Sequence, residues 1–82
     1  MIVGMVVQLS RERDAFEQAL REISGNPAFE IGEHQTNRIP LVLEAADRGR
    51  VHDETDWLKD LPGVQHVDVT FVDLAEISET AE

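Results

Sequence analysis

The segment from Ile2 to Leu9, IVGMVVQL, is a nearly continuous apolar run with several β-branched side chains. A run of this kind is typical of a strand that is buried on at least one face and is flanked by other strands. The sequence therefore predicts an interior strand at residues 2–9, and the segments that follow indicate what surrounds it.

The next segment predicts an amphipathic helix. Ser10 can cap its N-terminus, and the helix should end near Ser24. Charged side chains fall mostly on the opposite side from the apolar ones. The apolar positions that recur at helical spacing are Ala15, Phe16, Ala19, Leu20 and Ile23.

Two further strands are predicted after the breakers at residues 25–27. Residues 29–33 alternate between apolar and polar side chains, residues 34–37 are polar enough for a hairpin turn, and residues 39–45 form the next apolar run. Pro40 cannot donate a ladder hydrogen bond, so we expect a bulge or a late start to pairing there.

A second helix and a fourth strand complete the chain. Asp47 can cap the helix, and Pro62 with Gly63 should end it. Residues 64–72, VQHVDVTFV, alternate again as a strand does. The thin apolar stripe of the helix consists of Val51, Thr55, Leu58 and Leu61, with Trp57 beside it as a packing residue.

The resulting order βαββαβ predicts a ferredoxin-like α+β fold. Right-handed crossovers place both helices on one face of a four-stranded antiparallel sheet of order 4-1-3-2 and leave the other face uncovered. We expect one domain over residues 1–74 and an acidic, mobile tail over residues 75–82.

The alternation assigns side chains to the two faces. Those predicted to face the helices are Val3, Met5, Val7, Leu9, Phe29, Ile31, Ile39, Leu41, Leu43, Val67, Val69 and Phe71. Those predicted on the uncovered face are Ile2, Gly4, Val6, Gln8, Glu30, Gly32, His34, Pro40, Val42, Glu44, His66, Asp68, Thr70 and Val72.

This surface has small or apolar residues in its middle and carboxylates around them, as a shallow acceptor for a helix would. Glycine weakens a strand unless something approaches the backbone closely, so Gly4 and Gly32 point to a docked partner. A solvated sheet face with two incidental glycines, or a dimer interface, is the alternative.

Composition excludes several classes of function. The 17 acidic and 7 basic side chains give a formal net charge of −10, so neither nucleic acid nor an anionic membrane is expected as a partner. The chain has no cysteine, which excludes disulfides and thiol chemistry. It shows neither a signal peptide nor a run of about 20 apolar residues, so we expect it in the cytoplasm.

No catalytic or metal-binding constellation stands out. His34, His52 and His66 lack the spacing of metal ligands, and the serines have no nucleophile elbow. Acidic pairs such as Asp53 and Asp56 fall on exposed helix surface. We therefore expect no enzyme activity, no metal and no cofactor.

Three segments carry a resemblance that covers nearly the whole chain. IVGMVVQ at residues 2–8, LVLEAAD at residues 41–47 and PGVQHVDV at residues 62–69, with their order and spacing, resemble the NapD family, the small cytoplasmic chaperones of periplasmic nitrate reductase. The resemblance implies a protein that binds the twin-arginine signal peptide of the catalytic subunit, as a helix against the sheet, until the molybdenum cofactor is inserted.

The uncovered face supplies a matching set of peptide-binding residues. Carboxylates could attract the basic end of the peptide, while Gly4, Val6 and Val42 could take its apolar stretch. The alternative is a small regulatory or assembly module that dimerises, or binds a ligand, through this face; a weak homodimer is compatible with both. The predicted peptide-binding residues are Gly4, Val6, Gln8, Glu30, Gly32, Val42, Glu44, His66, Asp68 and Thr70.

Overall fold

The computed structural model describes residues 1–33 and 36–73. The strands pair in the order β2-β3-β1-β4, each pair antiparallel, which confirms the predicted ferredoxin-like topology. His34, Gln35 and the predicted tail lie outside the described residues. The elements are β1 (Ile2–Leu9), α1 (Arg13–Ser24), β2 (Phe29–Ile31), β3 (Arg38–Glu44), α2 (Arg48–Asp60) and β4 (Val64–Asp73).

The core lies between the sheet and the two helices. Alternate residues of the two central strands, β1 and β3, are buried, as predicted from the apolar pattern. Burial of these side chains removes apolar surface from water and is the main stabilising contribution to the fold. The core residues are Val3, Met5, Val7, Leu9, Ile39, Leu41 and Leu43, joined by Phe29, Ala19, Ile23 and Leu58.

The two helices begin differently from one another. Asp47 caps α2 as predicted, since its Oδ1 accepts a hydrogen bond from the Arg50 backbone N–H at 2.9 Å. The capping role predicted for Ser10 is wrong, because α1 begins later and Glu12 occupies its N-cap position. The Ser10 hydroxyl instead accepts a hydrogen bond from the Glu12 backbone N–H at 3.1 Å, in a turn that precedes the helix.

Pro40 lies inside β3 without the predicted bulge, and the pairing of β3 with β1 keeps its register past it. The Pro40 carbonyl accepts a hydrogen bond from the Gly32 backbone N–H at 2.9 Å, so the backbone polar groups of Pro40 point toward the β2 side. The missing N–H therefore weakens only the pairing at the end of β2, and β2 ends at Ile31 rather than at residue 33.

Candidate peptide-binding face

We call the sheet side opposite the helices the open face. Residues paired across adjacent strands share a face, so the register defines four rows on it. From the start of β1 toward its end, the rows are Glu44 and Ile2; Glu30, Val42, Gly4 and Phe71; Gly32, Pro40, Val6 and Asp68; and Arg38, Gln8 and His66.

Phe71 lies on the open face, contrary to the prediction. In the pairing of β1 with β4, Gly4 opposes Phe71 whereas Met5 opposes Val69, so Thr70 is an extra residue without a partner in β1. A bulge of this kind reverses the alternation beyond it. Val72 accordingly lies opposite Val3 on the helix side, so its predicted outward position is also wrong. Thr70 is exposed but is not one of the paired residues of the open face.

The bulge brings the Phe71 ring over Gly4. A Cβ atom added at Gly4 would overlap this ring, so the position requires glycine while the ring stays there. Gly32 similarly packs against Pro40, whose Cγ would lie 3.1 Å from an added Cβ. The close approach that these glycines indicated is therefore made by side chains of the same chain, and neither glycine needs a docked partner to explain it.

An apolar strip runs along the middle of the open face. We define it as Ile2, Val6, Pro40, Val42 and the ring of Phe71. The four aliphatic members are half-buried, and Phe71 is 52% exposed. Exposed, contiguous apolar surface with a polar rim is typical of an interaction site.

Three exposed carboxylates border the apolar strip. Glu30 and Glu44 are diagonal neighbours on β2 and β3, a relationship that separates side chains by about 7–8 Å. Asp68 lies on β4, where its Oδ1 is 2.8 Å from the His66 Nε2. The structure thus brings together nine of the ten predicted site residues on one face, with Thr70 the exception.

Arg38 gives the opposite end of the open face a positive charge. It pairs with Gln8 in the last row, and it lines a shallow depression of about 260 Å³ together with Val6, Glu33 and Pro40. The sequence prediction started β3 one residue later and did not include Arg38. Phe71 was assigned to the wrong face because the alternation within β4 does not reveal a bulge. An indirect signal is Gly4 on the neighbouring strand, whose missing side chain leaves room for the ring.

A metal-binding cluster and a membrane-spanning helix are both absent from the described residues. Within residues 1–33 and 36–73, no group of three or more His, Asp or Glu side chains is placed to hold a metal ion. Over the same residues, no helix is long and apolar enough to cross a membrane. The open face can offer hydrogen bonds, charge and apolar contact, which are the elements of a binding surface.

Comparison with known proteins supports the resemblance at the level of structure. The solution structure of the E. coli Tat proofreading chaperone protein NapD superposes with a TM-score of 0.76, over 89% of this chain and 77% of that one. The chain has the fold of NapD. The identity between the two is 19%, so the match concerns the fold. In comparisons of sequence, no protein-family model and no curated protein matches.

Proposed function

We propose that this protein is a binding chaperone and not an enzyme. In this proposal it recognises the twin-arginine signal peptide of the catalytic subunit of periplasmic nitrate reductase and holds that subunit in the cytoplasm during cofactor insertion. The observation that carries the proposal is the apolar strip on the open face with exposed carboxylates beside it. The NapD-like fold supports it.

The chemistry of the open face complements that of such a peptide, which has a basic end and an apolar stretch. The two diagonal carboxylates of Glu30 and Glu44 can each accept hydrogen bonds from a guanidinium group, and charge-assisted pairs of this type are the stronger ones. The apolar strip can accept the apolar face of a helix, as hydrophobic grooves do in other peptide-binding proteins. The half-buried aliphatic residues supply this surface without rearrangement of the core.

The overall charge favours the encounter with a basic peptide. A net charge of −10 attracts a cationic segment over a distance and raises the association rate, an effect that salt screens. The exposed carboxylates that border the apolar strip contribute to this association rate and to the orientation of the peptide. Because binding masks the peptide from the export machinery, the affinity must also permit release.

Charge reversal tests the proposal. We expect Glu44→Lys and Asp68→Lys each to weaken binding of a twin-arginine peptide while the thermal unfolding midpoint changes little, since both side chains are exposed. Glu22→Lys on α1 is the matched control, because it changes the net charge equally on the other side of the sheet. Equal affinities for the wild type and both open-face variants would contradict the electrostatic part of the proposal.

A module that self-associates is the second candidate, and one observation favours self-association through the β4 edge rather than through the open face. Val69, Phe71 and Val72 on the edge strand β4 are 54%, 52% and 49% exposed. Edge strands with exposed apolar side chains can pair with a second copy. Like charge on both copies opposes this association. Sedimentation equilibrium separates the candidates, because a stable dimer at micromolar concentration would favour the module.

A further inference from the structure

We propose that the free edge of β4 binds an extended, cationic segment of another protein, which adds to the four-stranded sheet as a further strand. The segment contacts both sides of the sheet through its alternate side chains. This site does not depend on the proposed function of the open face, because Val69 and Val72, two of the three apolar residues that receive the segment, lie on the helix side of β4.

One edge of β4 has no strand beside it. Among residues 1–33 and 36–73, β4 pairs with β1 alone, although its ten residues make it the longest strand of the sheet. The edge of a strand presents a row of backbone N–H and C=O groups that a second chain can bond to. Addition of an extended peptide to such an edge is a common mode of peptide recognition.

The exposed apolar side chains of the described chain concentrate at this edge. Val69, Phe71 and Val72 are the large apolar residues that are exposed there, and all three lie in β4. The pairing with β1 places Val69 and Val72 on the helix side and Phe71 on the open face. A helix docked on one face would cover only part of this set. Side chains of an added strand alternate between the two faces, so one strand can contact all three.

The opposite edge of the sheet lacks these features. β2 has three residues, and its central residue, Glu30, is exposed. A short strand and an exposed charge both protect an edge from pairing. Residues 69–72 of β4, VTFV, contain neither a charge nor a proline. The bulge at Thr70 limits the regular part of this edge, so we expect a short partner segment of about five residues.

Charge favours a cationic segment over a second copy of this chain. A second copy brings another net charge of −10, and the exposed Asp68 beside the apolar residues would approach its own counterpart. The cations at the two ends of β4 do not reverse this. The Met1 ammonium donates to the Ala45 carbonyl, on the β3 side of β1, and Lys59 lies beside Val64, away from the apolar residues. The helix that packs on β4, α2, has four acidic and three basic side chains.

Titration of the full chain with a β-prone peptide tests the proposal. The probe is a peptide of sequence Lys-Val-Thr-Val-Thr-Val-Lys with both ends capped. We expect saturable binding by calorimetry and slower hydrogen exchange of those amides in residues 68–72 that do not bond to β1, because the added strand accepts hydrogen bonds from them. Amides of β2 serve as the internal control and should exchange as before.

Two control peptides separate strand pairing from charge. Proline in place of the central valine removes a backbone donor, and glutamate in place of both lysines reverses the charge. We expect each change to weaken binding about tenfold or more. Equal binding of the proline peptide would overturn strand addition, and equal binding of the glutamate peptide would overturn the cationic character of the segment.

A double variant of the protein tests the residues themselves. Val69→Thr combined with Val72→Thr keeps the β-branched shape and removes two apolar contacts, so it should weaken binding of the probe about tenfold. The thermal unfolding midpoint should change little, because both side chains are exposed. Unchanged affinity of this variant would overturn the assignment of these residues to the site.

The remaining outcomes also decide the matter. Exchange changes confined to β1 and β3, or absence of binding by folded protein, would overturn the edge site and leave the proposed function in place. A stable dimer of the unbound protein that dissociates in the double variant would show that a second copy occupies the edge. That result would overturn the inference and would also favour the self-associating module over the chaperone.

Discussion

The aromatic ring of Phe71 lies over Gly4 on the open face of the sheet, where the two residues oppose one another across β1 and β4. This pairing exists because the unpaired Thr70 shifts the register by one residue. It makes a large, half-exposed aromatic side chain part of the apolar strip instead of burying it between the sheet and the helices. The surface available to a partner therefore depends on one irregularity in an edge strand.

A double-mutant cycle should show that Gly4 and Phe71 are coupled. We expect Gly4→Ala to lower the free energy of unfolding by about 1 kcal/mol, because the new methyl group displaces the ring and its contacts are lost. In a Phe71→Ala background, the same substitution should be neutral or stabilising, since alanine is easier to fix in a strand than glycine. Urea denaturation of the four proteins gives the coupling energy. Additive effects would show that the ring does not depend on Gly4.

Phe71 should also contribute to peptide affinity. Truncation of a central aromatic contact usually costs more than about 1 kcal/mol, so we expect Phe71→Ala to weaken binding about tenfold. Val69→Ala is the control, because Val69 lies opposite Met5 on the helix side of the same strand and is similarly exposed. Calorimetric titration of both variants measures the difference. Equal losses of affinity would exclude a specific role of Phe71.

Gly63 should be intolerant of a side chain. Its φ angle is +93°, and an added Cβ would lie 2.8 Å from the Ala15 carbonyl oxygen. Residues forced into this backbone region cost about 1–3 kcal/mol, so we expect Gly63→Ala to lower stability by at least that much. Gly25→Ala is the control, since its φ is −78° and its nearest contact would be an ordinary 3.5 Å. Thermal unfolding should separate the two; matching midpoints would contradict the predicted strain.

Asn37 should stabilise the end of β1. It is 6% exposed, its Nδ2 donates a hydrogen bond to the Leu9 carbonyl oxygen at 2.8 Å, and its own carbonyl accepts from the Leu9 N–H at 2.8 Å. Removal of the amide leaves the Leu9 carbonyl without this donor, so Asn37→Ala should cost about 1–3 kcal/mol. Arg38→Ala, at the neighbouring exposed position, should cost much less. Chemical denaturation checks this, and an equal effect of both substitutions would contradict it.

The central strands were predictable from the sequence for a physical reason. β1 and β3 each have a neighbouring strand on both sides, and alternate side chains of both strands are buried against the helices. The apolar residues at these positions form the pattern from which the two strands were predicted. The start of α2 was predictable too, because Asp47 has a direct hydrogen-bonding role at the cap. The element order followed from these strong local patterns and the preferred handedness of the crossovers.

The edges of the sheet were less predictable because fewer contacts constrain them. In β4, alternation through Val67 and Val69 predicts Phe71 on the helix side, but an edge strand can accommodate extra residues, and Thr70 is one of them. β2 ends early beside Pro40, which cannot donate to it. The open face extends onto both edge strands, so its borders on β2 and β4 could be assigned only from the structure. Its central residues on β1 and β3 could be assigned from the sequence.

Recognition of a twin-arginine peptide by the open face is the central claim, and a calorimetric titration of the wild-type protein tests it most directly. The measurement uses a synthetic twin-arginine signal peptide at two salt concentrations, with a peptide in which both arginines are replaced by glutamine as the control. We predict saturable binding that weakens in high salt and weakens strongly with the control peptide. Absence of binding by folded protein, or equal binding of both peptides, would contradict the account.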